Sequence, residues 1–409
     1  MFSEYDSTTY FLNALVLSVL ILPAYCLVKK ALYRRLILTL LGGFLLYTVA
    51  PRLLLFYIAF WCVVYLLSTV LKAFYEKKIE AYVFTVLLFL TATPMVAWKI
   101  FETDFSIAFN ILGNSFLGLI SGDIQDVDYS KAIIIPIGLS FATFRALDLL
   151  IKCYLGVQDR LSLERIFFYG FFPFVQVVGP IIEISEIDKT SDQVKKITPE
   201  DIFEGGKRIV LGFFKVIVLA ALLMESSSVF GGYQTAGTVT VVWLYLLLYM
   251  WFFYINFSGY SDLAIGASRL FGFQIKENFN TPYFKRNISD FWNNWHMSLS
   301  RFAQRNAFIP LGGYREKTRD IATLATMMLI ALWHDLTIGM IVFGGYHAAG
   351  LVVQRRFSRA TQSLKIPDNF YTRSAGILMT NLFVALSFPL LALKLDDAIP
   401  FYIVLLGGF

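Results

Sequence analysis

Runs of about twenty apolar residues recur along this chain, and such a run, wound as a helix, is the length that crosses a bilayer core of roughly 30 Å. Phe11 to Val28, Leu36 to Ala50, Leu53 to Leu71, Ala81 to Trp98, Ala132 to Ile151, Ile166 to Ile182, Ile209 to Met224, Val239 to Phe257, Ile321 to Trp333, Ile338 to Val353 and Ala375 to Leu393 read as spans or partial spans. Only 16% of the residues are charged, against about 25% in soluble domains. Lipid offers no hydrogen-bond partner, so the expectation is an all-α integral membrane protein of about eleven transmembrane or partial helices. No long polar linker or fixed-period repeat divides residues 1–409, and a single polytopic domain is the simplest division.

The first run lacks a small-residue cleavage site behind it and is expected to stay as a span. The segment before it, MFSEYDSTTY, is acidic, and KKALYRR follows. Cytoplasmic loops favour Lys and Arg, so the N-terminus is expected outside and Lys29 to Arg35 inside. The net charge of +6 therefore reads as topology; no basic run interleaves with aromatics, and no nucleic-acid partner is expected. Cys26, Cys62 and Cys153 stand alone, with no CxxC pair. They read as small buried hydrophobes, with neither a disulfide framework nor a zinc site.

Two polar interruptions stand out. In EISEIDKTSDQVKKITPEDIFEGGK, from Glu183, the order Thr198-Pro199-Glu200-Asp201 predicts a helix start, with proline in the first turn and acids beside the positive helix end. The second, Gln274 to Asp320, carries eight Lys or Arg against four acids, which favours the cytoplasmic side. Within it Phe291, Trp295, Leu299 and Phe302 recur at helical spacing, predicting one amphipathic helix after Asn287 that lies in the interface or dips into a protein-lined cavity. Pro51, Pro94, Pro136, Pro173 and Gly179-Pro180 interrupt apolar runs, and broken helices at membrane depth survive only against protein or a wet cavity.

Ionisable groups inside lipid need partners or a function. Arg145, Asp148 and Lys152 share one helical face and either neutralise one another or line a substrate path. Asn256, Ser258, Tyr260, Ser261 and Asp262 cluster directly after an apolar run, with Arg269 two turns beyond Asp262. An Asp262 to Arg269 link is one reading; hydrogen bonding to an acceptor substrate is the other. All three histidines, His296, His334 and His347, fall in the last third of the chain. A buried imidazole beside a polar cavity suits general-base chemistry near neutral pH, which His334 fits; packing is the alternative. His347 lies about 20 Å further along an unbroken helix, and a packing role is favoured for it. Metal-ligand spacing, a phosphate-binding loop and a nucleophile elbow are all missing from the sequence.

Seven motifs in order resemble the membrane-bound O-acyltransferase family, in its branch of alginate O-acetyltransferase membrane subunits and teichoic-acid D-alanyl transfer proteins. They are IPIGLSFATFRALDLLIKCYLG, FFPFVQVVGPI, GGKRIVLGFFKVIV, FSGYSDLAIGASRLFGF, NFNTPYFKRNISDFWNNWHMSLSRF, IPLGG and LWHDLTIGMIVFGGYHAAGLV, spread over about residues 133–353. The resemblance implies spanning helices ringed around a funnel or tunnel, with an activated acyl group arriving from the cytoplasm and an acceptor hydroxyl from the other face. It implies His334 as the catalytic base and His296 as its companion, orienting donor or acceptor, with Trp292 and Trp295 as packing anchors. Trp295, Ser298, Ser300, Asn280 and Asp335 join the Asn256 to Asp262 cluster as substrate-binding candidates. Lys207, Arg208, Lys285, Arg286, Arg301 and Arg305 would attract an acidic donor or carrier, or else mark cytoplasmic topology.

Two departures matter. Gln304-Arg305-Asn306 stands where relatives carry an aromatic and an Arg-Asp pair, and Asp335 stands where a glycine is customary. Asp335 either raises the basicity of His334 or faces water at a helix end. The implied reaction is O-acyl transfer from a thioester, acetyl-coenzyme A or an acyl carrier, with no bound cofactor, onto a polysaccharide or through an extracytoplasmic partner protein. It proceeds directly or through an acyl-enzyme. D-alanyl transfer toward teichoic acid is a second reading, and a non-enzymatic transporter or scaffold a third. The implied place is the bacterial cytoplasmic membrane.

Overall fold

A computed structural model describes residues 4–49, 51–76, 81–100, 138–159, 161–194, 196–227, 238–364 and 367–408. No strand occurs among them, as expected of an all-α membrane protein. Pro136 and the start of the run Ala132 to Ile151 lie outside the described residues. Among the described residues five helical segments are long and apolar enough to cross a membrane: Thr8–Leu27, Ala31–Val49, Pro51–Leu71, Val239–Leu270 and Phe370–Ala392.

Of the other predicted runs, Ala81 to Trp98 lies in the helix Ala81–Ile100. The run Ile166 to Ile182 is not a span: an eight-residue helix, Leu163–Gly170, gives way to the 3-10 turn Pro173–Val175 and then to non-helical chain. Phe171 through Ile182 is buried throughout. These residues are apolar because protein surrounds them. Ile321 to Trp333 and Ile338 to Val353 become the helices Arg319–His334 and Ile338–Ala360. A helix not foreseen, Leu395–Leu405, follows the last predicted run.

The described residues gather into two compact units, residues 1–210 with 262–276, and residues 211–261 with 277–409. In the first, the buried break is satisfied by side chains. Arg145, 1% exposed, donates to the carbonyls of Tyr169 at 2.8 Å and Gly170 at 3.3 Å and lies over the rings of Trp61 and Tyr169. The Tyr169 hydroxyl donates to the Ile182 carbonyl at 2.8 Å, and the Tyr10 hydroxyl lies 2.6 Å from both the Pro173 carbonyl and Gln176 Oε1. The expected mutual pairing of Arg145, Asp148 and Lys152 is thus half right. Lys152 pairs with Asp148 at 2.8 Å and also with Glu183 at 2.5 Å, while Arg145 turns to the carbonyls at the end of the helix Leu163–Gly170.

The helix start at Thr198 is where the sequence puts it. Asp201 N donates to Thr198 Oγ1 at 3.1 Å and Thr198 N to Asp201 Oδ2 at 3.2 Å, heading the helix Pro199–Phe213. The predicted Asp262 to Arg269 link is replaced. Asp262 takes Arg208 at 2.5 Å, and Arg269 lies 3.5 Å from Asp201. The acids of the helix Pro199–Phe213 reach Arg269 across the unit, which a count along one helix does not reveal. Arg35 joins Glu164 at 2.5 Å and Asp192 at 2.9 Å, so the cationic start of Ala31–Val49 and the acidic helix Ile184–Asp192 share one face of this unit. Among the cysteines, Cys153 is buried and Cys62 half-buried, but Cys26 is exposed, one residue from the end of its helix beside the exposed Leu27.

Close backbone contact makes one stability test decisive. A Cβ on Gly42 would stand 1.9 Å from the Phe171 carbonyl oxygen, whereas one on Gly206 would meet nothing within 4 Å. Gly42→Ala is expected to destabilise the protein by about 1–3 kcal/mol through overpacking, and Gly206→Ala, in a helix, to be neutral or slightly stabilising; thermal unfolding in detergent compares them.

Candidate functional site

Asn287 begins the site's local structure. Its side chain accepts from Asp290 N at 2.9 Å and caps the helix Ile288–Asn294. The sequence predicts one continuous helix here, and the chain makes two. Phe291, Trp295, Leu299 and Phe302 are all buried as predicted, but the backbone breaks at Trp295 and turns left-handed at His296, φ 39° and ψ 55°, before the helix Met297–Ala303. A left-handed non-glycine residue costs roughly 1–2 kcal/mol. Asn278 offsets it from both of its oxygens: its backbone carbonyl accepts from Met297 N at 2.8 Å and its side-chain Oδ1 from Ser298 N at 3.1 Å.

His296 is 2% exposed. Its Nδ1 lies 3.2 Å from Asn278 Oδ1 and 3.4 Å from Ser298 Oγ, while its Nε2 is buried with no hydrogen-bond partner. Phe257 meets the ring edge-on at 4.7 Å and Trp333 at 5.9 Å. Burial pushes this imidazole down to about 3, and charge on His334 and on Arg301 acts in the same direction. The ring is therefore neutral throughout the physiological range.

His334 is the last residue of the helix Arg319–His334 and is half-buried, its ring 4.5 Å from that of Trp333. Trp333 thus touches both imidazoles. The His334 ring stands at the helix C-terminus, the negative end of its dipole. Asp335 follows the end of that helix, is exposed and accepts from Leu336 N at 2.8 Å. The break between His334 and His347 falls at Asp335–Thr337. His347 is 1% exposed, ringed by Trp292, Phe343, Tyr346 and Phe383, and its Nδ1 accepts from Trp292 Nε1 at 3.3 Å. That is the packing role favoured for it.

The remaining candidates divide. Ser298 donates to Asn278 Oδ1 at 2.8 Å, and Ser261 accepts from Asn278 Nδ2 at 3.1 Å, so both join the His296 cluster. Trp295 is buried among Phe253, Tyr254, Phe279, Tyr283 and Phe291 and acts as an anchor. Ser300 donates to the Trp292 carbonyl at 3.0 Å. Asn256 carries a buried Oδ1 without a partner, Ser258 donates to the Ile255 carbonyl at 3.2 Å, and Tyr260 is buried. Asn280 is exposed; the buried asparagine is Asn278, two residues earlier. Asp262, Lys207 and Arg208 belong to the first unit, where Lys207 pairs with Glu204 and Arg208 with Asp262. Arg286 pairs with Asp368 at 2.7 Å, and Lys285 and Arg305 are half-buried.

Two cavities adjoin within the second unit, sharing Ser289, Phe308, Thr326, Met327 and Leu351. The wider, about 620 Å³, is lined also by Gln354, Arg355 and Arg359. The narrower, about 300 Å³, is lined also by Trp292, Met297, Ser300, Arg301 and Ile330. Of the six basic candidates, Arg301 faces this space. Arg355 and Arg359 were not predicted; they pair with Asp320 and Glu316 respectively. Met297 follows His296 in the chain, and Ile330 lies one helical turn before His334.

A family model described as MBOAT, membrane-bound O-acyltransferase family, matches residues 36–393, a wider stretch than the motifs cover. Among relatives, the chain is 33% identical over 230 residues to a protein called probable alginate O-acetylase from Pseudomonas aeruginosa, covering 54% of this chain and 43% of that one. It is 26% identical over 376 residues to a teichoic acid D-alanyltransferase from Streptococcus thermophilus, covering 84% and 83%. It is 30% identical over 269 residues to a peptidoglycan O-acetyltransferase from Helicobacter pylori, covering 56% and 49%. The chain spans less than half the length of the alginate O-acetylases it matches.

Burial of His296 has a pH consequence. Its folded pKa lies below the ordinary value of 6.5, at about 3. The stability tied to the neutral ring is therefore complete above 6.5 and falls as pH drops toward 3, by about 2 kcal/mol at pH 5. Between pH 7 and pH 5 the wild-type protein is expected to lose more thermal stability than His296→Gln; an equal fall in both would show that the ring is not held neutral.

Proposed function

Because this chain belongs to the membrane-bound O-acyltransferase family, we propose that it moves an acyl group from a cytoplasmic thioester to hydroxyls of an extracytoplasmic cell-surface polysaccharide, directly or through a partner protein. The observation that carries the reading is the pair of imidazoles that both contact Trp333: His334 half-buried at a helix end, His296 sealed and neutral with an unpartnered Nε2. In the proposed step the acceptor hydroxyl oxygen attacks the thioester carbonyl carbon while His334 takes the hydroxyl proton. The C–S bond breaks, and the departing sulfur receives that proton from His334. His296, too weak a base to compete for the proton, serves as a fixed hydrogen-bond acceptor. A thioester is already activated, so orientation and proton transfer are what the protein adds.

Acetyl-coenzyme A is the proposed donor, and Arg301 beside the cavity is suited to an anionic portion of it. The protein has several helices apolar enough to cross a membrane, and its proposed home is the bacterial cytoplasmic membrane with the N-terminus outside. D-alanyl transfer is a second reading, favoured by the longer alignment with the D-alanyltransferase. Hydrolysis by purified protein of acetyl-coenzyme A against a D-alanyl carrier separates the two.

His334→Ala is expected to lower polymer acylation in cells at least a hundredfold at matched expression, the scale of a lost general base, as read by mass spectrometry of surface glycans. Wild-type acylation in that variant would instead support the transporter or scaffold reading.

A further inference from the structure

The unit around His296 specifies more than the ring's position. We propose that Asn278 is a positioning residue that holds His296 in its Nδ1–H tautomer, so that the Nε2 lone pair is the face turned to substrate. The inference rests on the reading that His296 takes part in acyl transfer.

Asn278 is wholly buried, and its Oδ1 receives the Ser298 backbone N–H at 3.1 Å and the Ser298 hydroxyl at 2.8 Å. A backbone N–H can only donate, so the side-chain atom it meets must be the carbonyl oxygen. The choice between oxygen and nitrogen, often arbitrary for an amide, is therefore made by the backbone here. The opposite end agrees, since Asn278 Nδ2 donates to Ser261 Oγ at 3.1 Å. An oxygen that can only accept now faces His296 Nδ1 at 3.2 Å, and that nitrogen must carry the proton. A neutral imidazole has one N–H, so Nε2 is left with its lone pair and, buried, has no partner in the protein. The same asparagine grips the chain on the far side of the ring through its own carbonyl and Met297 N, which fixes the left-handed turn that aims the ring.

The chain has three histidines, so uniform ¹⁵N-histidine labelling of the full-length protein in nanodiscs gives few enough ring signals to assign with His296→Gln. At neutral pH the wild-type His296 ring is expected to show a protonated Nδ1 and a bare Nε2. Asn278→Ala should move the proton to Nε2 and cut polymer acylation in cells at least tenfold. Asn278→Asp keeps an oxygen for both donors and should leave Nδ1 protonated and recover most of the acylation. A wild-type ring protonated only at Nε2, or an unchanged Nδ1–H tautomer in Asn278→Ala, overturns the inference; should Asn278→Ala not fold, the wild-type spectrum and Asn278→Asp decide it. If the tautomer moves while acylation in Asn278→Ala and His296→Gln stays at the wild-type level, Asn278 positions the ring and it is the catalytic reading of His296 that fails.

Discussion

Lipid cannot hydrogen-bond to a peptide group, and each break in a helix must therefore be answered by protein. In the first unit the irregular stretch from Phe171 to Ile182 is completely buried, and long side chains bring donors to its carbonyls and those of the helix end before it. Arg145 serves Tyr169 and Gly170, and Tyr169 serves Ile182. In the second unit tyrosine and asparagine side chains likewise donate to main-chain carbonyls, here of residues within helices. The Tyr283 hydroxyl donates to the Met250 carbonyl, Asn381 to the Tyr283 carbonyl and the Tyr346 hydroxyl to the Phe383 carbonyl. Arginine and tyrosine here do what water does in a soluble protein.

The same constraint shapes the histidine cluster. A left-handed turn in a buried segment exposes peptide groups that no helix satisfies, and Asn278 meets two of them while also facing the imidazole. Backbone repair and side-chain orientation are one set of hydrogen bonds. Removing the asparagine side chain therefore takes the acceptor from Ser298 N and from the ring together, while the main-chain carbonyl keeps its hold on Met297 N.

What could be read from the sequence follows from what is periodic or local. Apolar runs identified a helical membrane protein, and the Thr198 to Asp201 order located a helix start, because both signals lie within a few residues. His296 and His334 stood out by rarity and by motif. The pairing of Asp262 failed because its partner, Arg208, is 54 residues away and no spacing rule reaches it. Ile166 to Ile182 misled because burial in protein and burial in lipid select the same side chains; only Pro173 and Gly179-Pro180 hinted at the difference. Asn278 and Asn280 are indistinguishable as letters, and the fold of the loop alone decides which faces inward.

The φ of 39° at His296 carries a meaning of its own. Few side chains settle comfortably in that region: glycine does, and asparagine, aspartate and histidine do so far more readily than β-branched residues. Before any chemistry is asked of it, the position already admits a short menu, and histidine is the one member offering a neutral nitrogen base. Drift at this site is thereby confined twice over, by the shape of the main chain and by the lone pair, and a substitution that satisfies one demand will usually fail the other.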